Sequence, residues 1–169
     1  MSGISRISTN TPWEPIVGYS RLVRAGDIVA VSGTTATDDR GLIVGPGQMY
    51  VQARQALENI RTALERAGLA MHQVIRTRMF VTDMTRFADV ARAHKEFFAD
   101  SPPASTVVEV RRLANPDMMI EIEADAYAGT ANSQTTNAKP QASIKPKPAA
   151  KSAPKSAKKP PSKKPARRK

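Results

Sequence analysis

Cysteine is absent from all 169 residues, and acidic side chains are absent from the last part of the chain, residues 130–169. Without cysteine the protein can form no disulfide, no thiolate nucleophile and no cysteine-bound zinc site. No run approaches the roughly 20 apolar residues that span a bilayer. We therefore expect a cytoplasmic protein that does not insert into membranes.

Positive charge is confined to one end of the chain, although the formal net charge of the whole is +11. Residues 130–169 contain ten Lys, two Arg and no Asp or Glu, whereas residues 1–129 contain 14 basic and 15 acidic residues. The first 129 residues hold a single lysine, Lys95. This shift in composition predicts a nearly neutral folded domain, residues 1–129, followed by a separate basic tail, residues 130–169.

The basic tail combines its twelve cations with seven prolines and almost no apolar bulk. Such a segment cannot bury enough surface to offset the entropy of ordering, so we expect it to be disordered. Two interpretations of its role stay open. It either binds nucleic acid or another polyanion without sequence preference, by releasing counterions, or it serves only as a solvated extension.

Hydrophobic periodicity predicts an alternation of strands and helices before the tail. A loop over Trp13–Gly18 is expected from its prolines, and Thr85 is expected to cap the second helix. The predicted strands form two hairpins, one near the start of the domain and one at its end. The predicted elements are strands Tyr19–Arg24 and Asp27–Thr34, helix Met49–Ala67, strand Gln73–Thr82, helix Thr85–Phe98, and strands Ser105–Leu113 and Met118–Tyr127.

The last predicted strand has two different faces. Apolar side chains at positions 120, 122, 124 and 126 alternate with the carboxylates Glu121, Glu123 and Asp125. The order of elements predicts an α/β (α+β) fold in which two helices cover one face of a mixed sheet. The opposite, acidic face is then available to a partner.

Several motifs, taken in their order and spacing, resemble the RidA (YjgF) family. They are Tyr19, Val31-Ser32-Gly33-Thr34, Gln55-Ala56-Leu57 with Asn59-Ile60, Val81-Thr82-Asp83, Pro103-Ala104-Ser105-Thr106-Val107-Val108-Glu109-Val110, and Ile120-Glu121-Ile122-Glu123-Ala124. An ordered series of this kind is more specific than a match to one short motif. The resemblance covers about 120 residues, from about Arg6 to Gly129.

The resemblance implies a chorismate-mutase-like fold assembled as a homotrimer, with ligand clefts between subunits. It also implies hydrolysis of reactive imines or enamines to carbonyl compounds and ammonia, without metal or cofactor. A ribonuclease activity is sometimes ascribed to the same family. We expect a small imine or enamine metabolite as the ligand and other copies of the chain as partners.

The resemblance also assigns roles to single residues. It implies that Glu121 positions or activates the attacking water, that Tyr19 orients the ligand and that the backbone at Gly33 approaches the ligand closely. Thr106 and Glu109 are expected nearby as further substrate-binding residues. Ser105 stands where the family pattern has an arginine that binds the substrate carboxylate.

Ser105 changes the chemistry expected of the cleft. Arginine holds a carboxylate through two charge-assisted hydrogen bonds, whereas a serine hydroxyl supplies one neutral donor. The substitution predicts a substrate other than the archetypal 2-aminoacrylate, unless Arg21, Arg24, Arg111 or Arg112 supplies the missing charge. A trimer that binds a metabolite without turnover is the rival interpretation.

The remaining charged and titratable residues are assigned structural roles. Glu123 and Asp125 are expected to form ion pairs with Arg76 and Arg78, because carboxylates two residues apart on one strand repel unless countered. His94 lies on the apolar stripe of its helix, which favours a packed side chain, and His72 stands alone. Two separate histidines and no cysteine indicate no transition-metal site.

Overall fold

The computed structural model describes residues 3–9, 11 and 13–129, all within the first of the two units into which the chain divides, Met1–Ala131. The predicted basic tail lies outside the described residues. Two short 3₁₀ turns, Met71–Gln73 and Met84–Arg86, precede the strand and the helix that follow them. The helices and strands are β1 (Ile4–Ile7), α1 (Trp13–Val17), β2 (Leu22–Ala25), β3 (Ile28–Thr35), α2 (Met49–Arg66), β4 (Val74–Val81), α3 (Phe87–Phe98), β5 (Ala104–Glu109) and β6 (Ile120–Tyr127).

The six strands form one mixed sheet in the order β1-β2-β3-β6-β4-β5. Every neighbouring pair is antiparallel except β4 and β5. These two strands are parallel neighbours, and α3 connects the end of β4 to the start of β5. The side of the sheet that carries the apolar residues of β6 packs against α2. The predicted α/β fold class is confirmed. No helix in the described ranges combines the length and apolarity that a membrane crossing requires.

The core forms where two predicted periodicities meet. The side of α2 that faces the sheet buries Ala53, Ala56, Leu57, Ile60, Ala63 and Leu64, which recur at helical spacing. On β6 the apolar alternate residues are buried, whereas the carboxylates between them are half-buried on the other face. Each large aliphatic side chain removed from water in this way stabilises the fold by about 1.5–3 kcal/mol.

Two amides on α2 hold the strand ends in place. Asn59 donates from Nδ2 to the carbonyl oxygens of Thr35 (3.0 Å) and Thr37 (2.9 Å), where β3 ends. The fully buried Gln52 donates to the carbonyl oxygen of Asp117 and accepts from the backbone N–H of Met119, just before β6. Buried backbone groups that leave a sheet need such partners. Gln52 therefore fixes how β6 enters the core, and Asn59 fixes how β3 leaves it.

The predicted hairpin of the last two strands is wrong. β6 lies between β3 and β4 at the centre of the sheet, whereas β5 pairs only with β4, at the edge. The strand predicted from Ser105 to Leu113 ends at Glu109, and residues 110–119 form a connection long enough to cross β4. The central position buries all four alternate apolar residues of β6 between two neighbouring strands and α2, which an edge position does not achieve.

The loop predicted over Trp13–Gly18 is also wrong in part. Residues Trp13–Val17 form a short helix, and the side chain of Glu14 in its first turn is buried. Pro15 lies within the first turn, where a missing N–H costs no hydrogen bond. The proline therefore permits this helix instead of excluding it.

Near β4 and α3 the structure differs from the sequence-based predictions in two details. An irregularity in register between Val74 and Arg76 leaves Ile75 half-exposed, although strict alternation with the buried Thr77, Met79 and Val81 would place it in the core. The cap predicted at Thr85 is wrong: α3 follows Arg86, which makes no capping hydrogen bond, and the capping side chain is Asp83, at the start of the preceding 3₁₀ turn. The Asp83 carboxylate accepts from the backbone N–H of Thr85 at 2.9 Å and so starts the 3₁₀ turn that leads into α3.

Candidate active site

The carboxylate of Glu121 lies against the backbone of Gly33 on the acidic face of the sheet. Glu121 pairs with Thr35 on β3, and the register of this strand pair shifts between Val31 and Thr34. A β-carbon at residue 33 would lie 2.9 Å from the carboxyl carbon of Glu121 and closer still to Oε1. Any residue larger than glycine would therefore displace this carboxylate. The predicted pair of Gly33 and Glu121 is brought together.

Glu121 is set apart from the other acidic residues of its strand by its surroundings. Burial raises the pKa of its carboxyl, the neighbouring negative charge of Glu123 raises that pKa further, and the positive charge of Arg21 acts against both. Among residues 3–9, 11 and 13–129, no donor forms a hydrogen bond with this carboxylate. Glu121 is thus a carboxylate whose lone pairs are free and whose affinity for a proton is raised.

Arg21 links Gly33 to Tyr19. Its Nη1 donates to the carbonyl oxygen of Gly33 and to Oγ1 of Thr34, both at 2.9 Å, and its Nη2 donates to the Tyr19 hydroxyl oxygen at 2.9 Å. Arg21 is only 8 % exposed. Because its guanidinium group makes three hydrogen bonds inside the protein, Arg21 acts as a positioning residue. It holds Tyr19 and the part of β3 where the register shifts, between Val31 and Thr34. It is the one candidate replacement cation that the structure places at this site.

Glu14 extends the same hydrogen-bonded network. Its carboxylate accepts from the hydroxyl groups of Ser8, Thr9 and Thr11 and from the backbone N–H of Thr9, and the Thr11 hydroxyl is 3.4 Å from the Tyr19 hydroxyl. Burial raises the pKa of Glu14, but hydrogen bonds from Ser8 and Thr9 and the charge of Arg21 outweigh this effect and lower it overall. Glu14 was not anticipated from the sequence, because only the folded chain buries it.

Glu123 and Asp125 form the predicted ion pairs with Arg78, whereas the ion pair predicted for Arg76 is wrong for the described residues. Nε of Arg78 donates to Oε2 of Glu123 at 2.7 Å, and Nη1 donates to Oδ2 of Asp125 at 3.1 Å. Arg76 is exposed and forms no ion pair within the described part of the chain. One arginine therefore satisfies both carboxylates, and Glu121 is the acid of β6 that forms no ion pair within the described residues.

Ser105 lies on the other, helix-covered side of the sheet. In register with Thr77, it receives a hydrogen bond from the Thr77 hydroxyl at 3.0 Å, and Thr77 Oγ1 is also 3.0 Å from Nε2 of His94. Within one chain Ser105 and Glu121 thus occupy opposite faces. His94 is packed against Phe98 with ring centroids 4.5 Å apart, as its position on the helical stripe predicts.

The two other predicted ligand residues are also separated. Thr106 is exposed on β5, where it pairs with Arg78 of β4 and lies on the acidic face of the sheet. Glu109 accepts from the backbone N–H of Met84 at 2.9 Å and so stabilises the 3₁₀ turn before α3. Arg111 and Arg112 are exposed beyond β5, and Arg24 donates to the carbonyl oxygen of Gly26 in the β2–β3 turn.

The family model for Endoribonuclease L-PSP matches residues 9–128, which include every residue of the network around Glu121 except Ser8. The chain belongs to this family. A RutC family protein of Pyrococcus horikoshii is 38 % identical over 121 residues, which are 72 % of this chain and 95 % of that protein. The resemblance to the RidA (YjgF) family is thereby confirmed.

Solved structures of the L-PSP family have the same fold. Rv2704 of Mycobacterium tuberculosis, a member of the YjgF/YER057c/UK114 family, is 39 % identical with a TM-score of 0.68, over 74 % of this chain and 99 % of that one. The YjgF gene product of E. coli is 34 % identical with a TM-score of 0.64, over 73 % and 97 %. Because these relatives are matched over nearly their whole length, the basic residues 130–169 are an addition to the family domain.

Proposed function

We propose that this L-PSP family member hydrolyses a reactive imine or enamine metabolite, without a cofactor, at the acidic face of its sheet. The observation that carries the proposal is Glu121, a carboxylate with a raised pKa that accepts no hydrogen bond from the described residues and is held against the backbone of Gly33. A general base works best when its pKa is moved from the ordinary carboxylate range towards the working pH. Glu121 has the environment that produces this shift.

Hydrolysis needs only proton transfers and one water. The Glu121 carboxylate takes a proton from the water as its oxygen bonds to the imine carbon, the electron pair of the C=N bond moves to nitrogen, and Glu121 passes that proton to the nitrogen. As the C–N bond of the resulting carbinolamine breaks, Glu121 takes the hydroxyl proton and gives it to the leaving nitrogen, so that a carbonyl compound and ammonia are formed. An enamine enters the same sequence after protonation at carbon.

The residues around Glu121 fit supporting roles in this reaction. The Tyr19 hydroxyl can donate to a polar group of the ligand, and Arg21 fixes its position. The positive charge of Arg21 also stabilises the ionised form of Glu121 and so opposes the rise in its pKa that burial and Glu123 cause. In the cleft between subunits that the resemblance implies, the Ser105 of a neighbouring copy would supply no charge, so the substrate is proposed to differ from 2-aminoacrylate.

We place this site in a homotrimer, as the family resemblance implies. Two features of the described chain support burial of surface between copies. The acidic face of the sheet is covered by no helix, and the short helix α1 exposes Trp13, Ile16 and Val17 by 52–72 % each, close in sequence to Tyr19. Exposed apolar side chains grouped in this way are typical of contact surfaces.

Turnover of a panel of imino acids tests the proposal. Imines generated in place by an amino-acid oxidase should decay faster with the full-length protein than without it, with ammonia and the carbonyl product formed in equal amounts. The trimeric mass is checked by light scattering on the same sample. Thermal stabilisation by a ligand without turnover would favour the metabolite-binding alternative, which the uncharged Ser105 supports, and would overturn the enzymatic proposal.

The second candidate function belongs to the basic tail. We infer nonspecific binding of nucleic acid or a similar polyanion, because residues 130–169 carry twelve cations and no acid and lie beyond the family match. Counterion release makes such binding strong at low salt and weak at high salt. Aromatic residues, which stack on bases, are absent from the tail, so little base preference is expected.

A further inference from the structure

Glu14 is a buried charged group to which the proposed hydrolysis assigns no role. It lies in the first turn of α1 and is only 6 % exposed. Its carboxylate accepts four hydrogen bonds, which come from the hydroxyl groups of Ser8, Thr9 and Thr11 and from the backbone N–H of Thr9. A carboxylate that accepts several hydrogen bonds is held in its charged form. Glu14 therefore brings a fixed negative charge into the protein.

The backbone and the side chain of Glu14 both lead to Tyr19. The carbonyl oxygen of Glu14 accepts from the backbone N–H groups of Gly18 (2.9 Å) and Tyr19 (3.2 Å), which fixes the chain as it leaves α1. The Thr11 hydroxyl donates to the carboxylate of Glu14 (3.3 Å) and lies 3.4 Å from the Tyr19 hydroxyl. Since the single hydroxyl proton of Thr11 is directed to Glu14, the Thr11 oxygen accepts from Tyr19.

Arg21 is a buried cation with a carboxylate on each side. It donates to the Tyr19 hydroxyl at 2.9 Å, on the side of Glu14, and to the carbonyl oxygen of Gly33 at 2.9 Å, on the side of Glu121. Burial raises the pKa of both carboxyls, and the charge of Arg21 opposes that rise in each. Within the described ranges, however, neither carboxylate forms an ion pair with Arg21.

Charged groups on other elements also lie near the two carboxylates. Glu123, the neighbour of Glu121 on the acidic face of β6, is paired with Arg78 of β4 at 2.7 Å. Arg66 of α2 donates to the backbone carbonyl oxygen of Ser8 at 3.4 Å. Neither of these two arginines acts on both carboxylates. The balance of charge therefore concerns the buried cation between them.

The charge of Arg21 needs a balancing anion, because an unbalanced charge is costly away from water. Glu121 could serve as that anion, since it lies against Gly33, the residue whose carbonyl oxygen Arg21 binds. Glu14 supplies a negative charge at the opposite end of the Tyr19 hydrogen bonds instead. This leaves the carboxylate of Glu121 outside an ion pair and able to take a proton.

We propose that Glu14 is a positioning residue for the base of the site. Its negative charge balances Arg21, so that Arg21 holds Tyr19 and Gly33 in place without drawing Glu121 into an ion pair. The inference rests on the proposed function where it calls Glu121 a base. The balance of charge itself is measured without turnover.

The test is a carbon-13 NMR titration of the full-length protein labelled in its glutamate carboxyl groups, with Glu14 neutralised by E14Q. Glutamine keeps the size of the side chain and can still accept from Thr9 and Thr11. Arg21 should then pair with Glu121, and the midpoint of Glu121 should fall by about one pH unit, as for a carboxylate beside an arginine. The pH profile of kcat/KM for the best imine should be displaced by the same amount.

Three variants serve as controls. E14D keeps the charge but shortens the side chain, so the midpoint of Glu121 should stay close to its wild-type value. T11V breaks the hydrogen-bonded path to Tyr19 while it keeps both charges, and it should also leave the midpoint in place. E65Q removes a negative charge from the exposed surface of α2 and should have no effect on the midpoint.

Two results would overturn the proposal, whether or not an imine is turned over. One is a Glu121 midpoint that E14Q leaves unchanged, or that E14D or E65Q lowers as much as E14Q does. The other comes from the wild type and does not depend on how E14Q folds: a Glu14 that takes up its proton at or above the midpoint of Glu121 cannot balance Arg21 there. A displaced midpoint in a protein without turnover would support the charge balance and contradict the proposed function.

Discussion

Replacement of Glu121 by glutamine is expected to lower kcat/KM for imine hydrolysis by about 10²–10⁴-fold, the usual contribution of a general base. Glutamine keeps the size of the side chain and its place against Gly33 but cannot take a proton from water. The measurement is the rate of ammonia release from the best imine of the panel. The same substitution at Glu65, an exposed carboxylate on α2, is the matched control and should retain full activity.

The stability of the Glu121 variant distinguishes a catalytic loss from a folding defect. The folded-state pKa of Glu121 is raised, so the folded chain binds its proton more tightly than the unfolded chain does. Its charge therefore destabilises the fold once the pH exceeds the unfolded-state pKa. At pH 7 we expect E121Q to melt no lower than the wild type, with the difference disappearing in acid. An inactive variant that also melts well below the wild type would contradict the assignment.

Removal of residues 130–169 is expected to abolish salt-sensitive binding to duplex DNA or RNA. A protein that neutralises six to ten phosphates loses roughly 10³–10⁵ in affinity between 50 and 200 mM salt, and the tail carries twelve cations. The full-length chain should show this steep dependence, whereas residues 1–129, with a formal charge near −1, should not bind at either salt concentration. Filter binding or fluorescence anisotropy across the salt series gives both values.

A length-matched control separates charge from chain length in this experiment. In a full-length variant with every tail lysine and arginine replaced by glutamine, binding should be lost as completely as in the deletion. Imine hydrolysis should continue in both variants, since Glu121, Gly33 and Tyr19 lie before the tail. Undiminished nucleic-acid binding by residues 1–129 would contradict the tail's role, and RNA cleavage by that domain would favour the ribonuclease activity that the family description names.

Local pattern was a guide to the longer elements of this fold, from β2 to β6, but not to β1, to α1 or to the order of the strands. The spacing of Ala53, Leu57, Ile60 and Leu64 predicted which side of α2 is buried, and the alternation in β6 predicted its acidic face. The segment around Pro116 has the composition of a tight turn, which suggested a hairpin. The order of the strands instead depends on which two strands flank β6, here β3 and β4. That choice depends on the packing of the whole sheet and not on any one segment.

The candidate site was predictable only where single residues match the family pattern. Tyr19, Gly33 and Glu121 were anticipated in this way, and the fold brings them together through Arg21. The buried acceptor Glu14 was missed because its segment looked like a proline-rich loop. The contact of Thr77 with Ser105 and His94 was also missed, since it joins two strands and a helix that are distant in sequence.

The titration of Glu121 and the activity of the protein should follow one curve. Carbon-13 NMR of the Glu121 carboxyl gives its pKa directly, and kcat/KM measured over the same pH range gives the pKa of the catalytic base. We predict a single common midpoint above 4.5, the ordinary value for glutamate, with activity rising as the carboxyl loses its proton. A Glu121 that titrates at or below the ordinary value, or activity that is constant through its titration, would contradict its role as the base.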